Sequence, residues 1–287
     1  MKINNMNIYL LFALLGGVLS GLTETINKNI TEKKYSVFSY SLLQWGGNLL
    51  FYLLLFFINK EVFPSSLSSY FSLLIVVLFA FIGNIFIIKA YKTEDVSNIN
   101  IIWRISLVVN FLNGYLLLSE RISYLNLLGI FLILLGIIVI FYNGKSLHLS
   151  SGFIFALSGG ICFGMVAYLN KITLSNFSPV AFLVAANIAG TTLSLFMPKA
   201  LPDMLPILRK YSWKILLSRF TSFIAYLLFI YAIAREKISV VNTNYETLSL
   251  LSVVILGIFF LKEKSNFQQK LAGSLFCTLG IILLNFF

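Results

Sequence analysis

Ten runs of almost wholly apolar residues, each about as long as a bilayer-crossing helix, divide the 287-residue chain. A helix rises about 1.5 Å per residue, so ~20 apolar residues cover the hydrocarbon core. Cutting at the polar clusters places the runs at residues 7–27, 37–58, 70–91, 97–118, 123–142, 150–170, 178–197, 213–234, 238–261 and 267–286. Most connections are short, so consecutive helices are expected to be antiparallel neighbours. The runs are too long for barrel strands and do not alternate as those do. With 59% hydrophobic and 11% charged residues, the chain lacks the polar surface of a soluble domain, and no soluble domain fits between the runs. The reading is an all-α, multi-pass integral membrane protein, expected in the plasma (inner) membrane. The first run lacks a small-x-small cleavage site before "SGLTETINKNI" and is expected to stay as the first helix.

The net charge of +11 raises nucleic acid as a partner. The basic residues are scattered over short loops rather than gathered in a patch, so anionic lipid head groups suit them better, and no nucleic acid is expected. Cys162 and Cys277 lie in apolar runs and read as small buried hydrophobes. The single histidine, His148, lies in a loop, and no Cys/His spacing suggests a metal. The longest linker, 198–213, holds three of the five prolines and is expected along the membrane interface.

The chain repeats itself. "FALLGGVLSGLTETINK" at 12–28 aligns with "FALSGGICFGMVAYLNK" at 155–171, matching Gly16/Gly159, Gly17/Gly160, Gly21/Gly164, Asn27/Asn170 and Lys28/Lys171 at an offset of 143. "FIGNIFIIKAYKTEDVSNIN" then meets "FIAYLLFIYAIAREKISVVN" at an offset of 142. A five-helix unit is thus written twice, over residues 1–145 and 146–287. Five crossings are an odd number, so the second unit runs the opposite way through the membrane, the inverted repeat of many secondary transporters. The pairs Gly17/Gly21 and Gly160/Gly164, one turn apart, read as sites of close helix packing, as do Gly129/Gly136 and Gly273/Gly280.

Each unit ends in an acidic-basic turn, "SER" at 119–121 and "KEK" at 262–264, followed by a helix with glycines seven apart. Over nearly its whole length the chain therefore resembles the EamA-type members of the drug/metabolite transporter superfamily. The resemblance implies ten helices around a central cavity that faces each side in turn, and export or uptake of small metabolites. It places the fifth and tenth helices at the periphery and the first, third, fourth, sixth, eighth and ninth around the cavity. The family often has Gly-Glu where this chain has Ser119-Glu120 and Lys262-Glu263.

Two charges stand at matched positions inside the membrane, Arg104 in the fourth run and Glu246 in the ninth. A charge at the centre of a spanning helix costs ~2.5–3.5 kcal/mol on insertion scales, which a partner or a wet cavity must offset. Three readings are open: an ion pair across the pseudo-twofold axis, a grip on opposite ends of a zwitterion, and snorkelling to the interface. Asn100, Trp103, Leu107, Asn110 and Gly114 share one face of the fourth helix, and Asn242, Tyr245, Glu246, Ser249 and Val253 one face of the ninth. Asn100/Asn242 and Trp103/Tyr245 are repeat mates. The expected substrate-binding set is Asn100, Trp103, Arg104, Asn242, Tyr245 and Glu246.

Glu24 is a candidate coupling carboxylate, or else a partner for Lys28 one turn on. Arg219 either contacts a substrate anion or snorkels; Lys89 is expected to snorkel. Gln44 with Asn187, Asn48 with Thr191, and Asn110 read as packing hydrogen bonds. No Walker loop, Ser/His/Asp set or metal-ligand group stands out, so neither catalysis nor a cofactor is expected. Transport would then be driven by the substrate's own gradient, by exchange, or by a coupled ion such as the proton. The substrate expected is a small polar or zwitterionic, amino-acid-like metabolite. The alternatives are a nucleotide-like or drug-like compound, a channel, or a lipid-handling membrane enzyme; monomer and homodimer are both open. With a cytoplasmic N-terminus, thirteen of the 19 basic residues other than Arg104 and Arg219 lie outside, against the positive-inside rule. The family resemblance implies cytoplasmic termini, and that orientation is preferred here.

Overall fold

The computed structural model describes residues 8–118, 123–142, 149–236, 238–263 and 266–284. The turn at 119–121, His148 and Lys264 lie outside the described residues, and so do the surroundings of Gly114. Every regular element described is an α-helix: α1 (Ile8–Ile30), α2 (Val37–Ile58), α3 (Leu67–Tyr91), α4 (Val96–Trp103), α5 (Ile105–Leu118), α6 (Tyr124–Phe141), α7 (Ser151–Thr173), α8 (Pro179–Leu195), α9 (Ala200–Arg235), α10 (Ile238–Phe259) and α11 (Phe267–Leu284). Seven of them (α1, α2, α3, α7, α9, α10 and α11) are long and apolar enough to cross a membrane; α6 and α8 are apolar but shorter. Helices suit this sequence because lipid offers backbone groups no hydrogen bonds, and a helix satisfies them internally. Serines set several starts: Ser36, Ser123, Ser150 and Ser178 each accept an amide N–H of the first turn.

Two expectations need correction. The fourth run is not one helix; it breaks at Arg104 into α4 and α5. The linker 198–213 is largely helical, because α9 already starts at Ala200 and only Tyr211, with φ −126° and ψ 22°, kinks it. Pro202 is tolerated because first-turn amides have no helical acceptor. This segment is tied to the start of α2: Asp203 Oδ2 accepts the Ser36 amide at 2.7 Å and Ser39 Oγ donates to Lys199 O at 2.8 Å.

The two repeats do not pack as separate bodies. The most extensive helix interfaces all join one repeat to the other: α1 with α9 and α10, α7 with α3, α4 and α5, α2 with α8, and α6 with α11. Glycines make this possible. A Cβ on Gly21 would come 2.6 Å from Ser252 Cβ of α10, and one on Gly164 would come 2.6 Å from Val109 Cβ of α5. Gly129 and Gly280 face each other likewise: a Cβ on either would lie 2.7 or 2.6 Å from the other's carbonyl oxygen. Both main apolar cores draw side chains from each repeat, such as Ile102 with Leu250, and Val76 with Val180.

Candidate functional site

The break at Arg104 positions the site. In a regular helix the Arg104 amide would bond Asn100 O four residues back; here it bonds Ile101 O at 3.1 Å, and Leu107 N bonds Arg104 O at 3.0 Å. These tighter turns leave Asn100 O to the Arg104 side chain, whose Nε donates to it at 3.0 Å. The guanidinium is then spent on two residues. Nη2 donates to Asn100 Oδ1, and Nη1 donates to Glu246 Oε2 and, at 2.9 Å, to Glu246 O. Asn100 Nδ2 in turn donates to Glu24 Oε2, whose other oxygen accepts from Ser20 Oγ at 3.2 Å. One chain of charge and hydrogen bonds runs from α1 through α4 to α10. Of the three readings of Arg104 and Glu246, the structure holds the ion pair. Snorkelling is excluded for Arg104, which has no exposed surface.

Beside this chain lies a cavity of about 260 Å³ between the repeats. Glu24, Trp103, Asn242, Tyr245, Glu246 and Arg219 border it, whereas Asn100 and Arg104 stand behind the two carboxylates. Trp103 stacks on Phe163 and Tyr245 packs on Phe229, each with ring centroids 4.5 Å apart. Repeat mates thus make two aromatic walls, although their partners are not mates. The second and seventh helices of the family scheme, α2 and α8, also line the cavity through Gln44, Asn48 and Asn187, contrary to the expectation that they only pack. Asn187 Nδ2 bonds Leu183 O of its own helix at 2.8 Å and Asn48 Nδ2 bonds Ser222 Oγ at 3.0 Å.

Several other expectations are corrected. Arg219 does not snorkel: it is 4% exposed and its Nη2 donates to Asn27 Oδ1 at 2.6 Å and to Ser218 Oγ at 2.7 Å. Contacts with Asn27 of α1 and Gly47 of α2 bury it, which hydropathy along one helix does not report. Lys28 is not the partner of Glu24. Its Nζ donates to Tyr91 O at 2.6 Å and Glu94 O at 2.5 Å, satisfying carbonyls at the end of α3. Lys171 does the same at the end of α9, to Ile233 O at 2.6 Å and Glu236 O at 3.1 Å. The Asn110 side chain forms no hydrogen bond among the described residues; its neighbour Asn113 donates to Met165 Sδ at 3.2 Å. Lys89 lies over Phe155, 5.2 Å from the ring centre.

The described part of the second acidic-basic turn has a structural task. Glu263 accepts the amides of Val96 and Ser97 at 2.7 and 3.2 Å, and Ser97 Oγ at 2.6 Å, so a carboxylate sits on the positive N-terminal end of α4. Lys270 completes the cluster, 2.7 Å from Asp95 and 3.6 Å from Glu263. The turn after α10 thereby holds the helix that carries Asn100 and Arg104.

Sequence reasoning missed Ser20, Asn27, Trp45, Phe163, Tyr226 and Phe229, all of which border the cavity. Asn27 and Asn170 carried a signal, as amides kept at matched positions in apolar helices. The aromatics carried none, since a lone Phe in an apolar helix reads as core.

Interlocked apolar helices around a charged, aromatic-walled cavity define a polytopic membrane protein built to enclose a small molecule. The profile of the EamA-like transporter family matches residues 7–142 and again residues 150–286. The chain belongs to that family, and so is an integral, multi-pass membrane transporter of the drug/metabolite transporter superfamily, with a small-molecule substrate and a lipid surround. No curated protein matches the chain. Among solved structures, one crystal structure described only as that of a protein superposes with a TM-score of 0.58 at 14% identity, over 94% of this chain and 95% of that one. That likeness concerns the fold.

Proposed function

We propose that the chain is a secondary transporter that moves a small polar or zwitterionic, amino-acid-like metabolite by alternating access. In this reading α4 and α5 cross as one broken helix and every other helix crosses once, giving ten crossings. The halves 1–145 and 146–287 are then inverted five-helix units. The observation that carries the proposal is the double duty of Glu246, which borders the cavity and also accepts the Arg104 guanidinium from the other repeat. A substrate ammonium at Glu246 and Glu24 competes with Arg104 for carboxylate. Binding is thereby linked to the α4–α10 contact, and a ligand shifts a two-state equilibrium only through such a difference. Trp103 and Tyr245 cover the substrate's apolar part or cation, and Asn242 fixes its polar groups. Asn100 and Arg104 position the carboxylates. Glu24, held only by neutral donors, is the group we assign to a coupled proton or other cation.

The test is uptake of labelled neutral amino acids into liposomes holding the purified protein. The expected result is saturable uptake with counterflow, lost in Glu246→Gln. Flux that stays linear with concentration and shows no exchange would identify a channel and end the proposal.

A further inference from the structure

Three cations are buried among the described residues: Arg104, Arg219 and Lys270. Arg104 has Glu246, and Lys270 has Asp95 and Glu263. Arg219 forms no salt bridge with any described residue. Its Nη2 is taken by two neutral oxygens, of Asn27 and Ser218, while no acceptor among the described residues meets Nε or Nη1. Removing an ion from water is costly, and an attraction of opposite charge must offset it. Arg219 borders the cavity, so the counter-charge has a place to come from.

The surroundings are built around this side chain. A Cβ on Gly47 of α2 would stand 2.7 Å from Arg219 Cγ and 2.9 Å from Cδ, so any larger residue there would force the stem to shift. Val77, the repeat mate of Arg219, carries no charge. Trp45 Nε1, in the same cavity, is a buried donor without a partner among the described residues, and Asn48 Oδ1 is a buried acceptor without one. A guanidinium presents parallel N–H groups in a planar fork that matches a carboxylate's two oxygens. Asn27, which holds Arg219, lies three residues from Glu24, or about one helical turn, ~5 Å, along α1.

Resting on the transporter reading above, we propose that Arg219 is the seat of a substrate carboxylate, the anionic end of the molecule whose cationic end meets Glu24 and Glu246. Transported molecules then carry a carboxylate, and amines or amides that lack one are excluded. Trp45 Nε1–H supplies a further donor to the anion, and Asn48 Oδ1 accepts an N–H of the same molecule.

The experiment is thermal unfolding of the purified full chain in detergent, titrated with sodium acetate, sodium chloride or acetamide at fixed ionic strength. A ligand that binds only the folded state raises the midpoint with its concentration. Expected is a rise with acetate beyond that with chloride or acetamide. The apparent acetate dissociation constant should increase tenfold or more in Arg219→Gln and less in Arg219→Lys. Gly47→Ala, which crowds the side chain without touching its charge, should weaken acetate too and serves if Arg219→Gln does not fold. Equal rises with acetate and chloride, no acetate increment in wild type, or an increment that survives in both Arg219→Gln and Gly47→Ala would overturn the assignment. Glu246→Gln separates the two claims. Retained acetate binding beside lost uptake upholds both, whereas saturable uptake with no acetate increment sinks this assignment and leaves the transporter reading standing.

Discussion

Lys28 and Lys171 occupy matched places in the two repeats and do one job, each giving its ammonium to the last carbonyls of the third helix of its own unit, Tyr91 and Glu94 for one, Ile233 and Glu236 for the other. Arg104 and Glu246 are matched as closely, yet they differ in charge and in backbone: α4 and α5 break at Arg104, while α10 runs unbroken past Glu246. The contrast has a physical cause. A group that satisfies backbone carbonyls can be kept in both copies, because each copy meets its own helix end. Charges that meet each other across the axis cannot be alike, since like charges in a low-dielectric interior repel. The caps near the helix ends could therefore stay symmetric after the unit was doubled, whereas the centre had to diverge.

The largest effect tests the centre. Arg104→Gln or Glu246→Gln leaves one buried charge without its partner and is expected to cost ~3–5 kcal/mol of unfolding free energy, measured by denaturant unfolding in lipid. The double change should cost less than the sum. Single variants within 1 kcal/mol of wild type, on the order of the exposed ion pairs, would break the comparison.

Next come the caps. Lys28→Met and Lys171→Met should each lose ~1.5–3 kcal/mol, as expected for hydrogen bonds made by a charged donor, and by similar amounts. A neutral result at one site only would show that the two ends have diverged as well. The glycine contact comes third: Gly129→Ala and Gly280→Ala overpack α6 against α11 and should each cost ~1–3 kcal/mol, non-additively, since each crowds the other's carbonyl.

The smallest effect lies in the α1–α2 connection. The Lys210 hydrogen bond and charge beside Glu32 hold its carboxyl below the usual carboxylate range. The folded value is depressed, so this contribution is full above the ordinary carboxylate pKa and fades as pH falls through the folded value. The midpoint difference between wild type and Glu32→Gln should accordingly be present near neutrality and shrink towards pH 4 and below. A difference that grows on acidification would reverse the sign.

Much of the architecture was legible because apolar run length and repeat spacing are written directly in residue types. The offset alone brought Arg104 opposite Glu246, and Asn242, Trp103 and Tyr245 to the cavity. The break at Arg104 was not legible: no Pro or Gly marks it, and it exists because a side chain takes the place of an amide on Asn100 O. The role of Lys28 was hidden because its acceptors are carbonyls, which every residue has. Arg219 was misjudged for a related reason. Its burial comes from α1 and α2 of the other repeat, and hydropathy along α9 does not report those contacts. Glu263 was read as part of a turn, but its work as the cap of α4 depends on a helix 167 residues away.

The interlocking of the repeats has a consequence for biosynthesis. The main partners of α1 are α9 and α10, and that of α6 is α11. When the first repeat leaves the ribosome, Gly17, Gly21 and Gly129 face lipid or insertion machinery, with none of their packing partners yet made. At ~5–20 residues per second the remaining chain takes roughly 7–30 s to emerge. Arg104 spends that interval in a nascent bundle without Glu246, so the first five helices must be inserted while still short of a native fold.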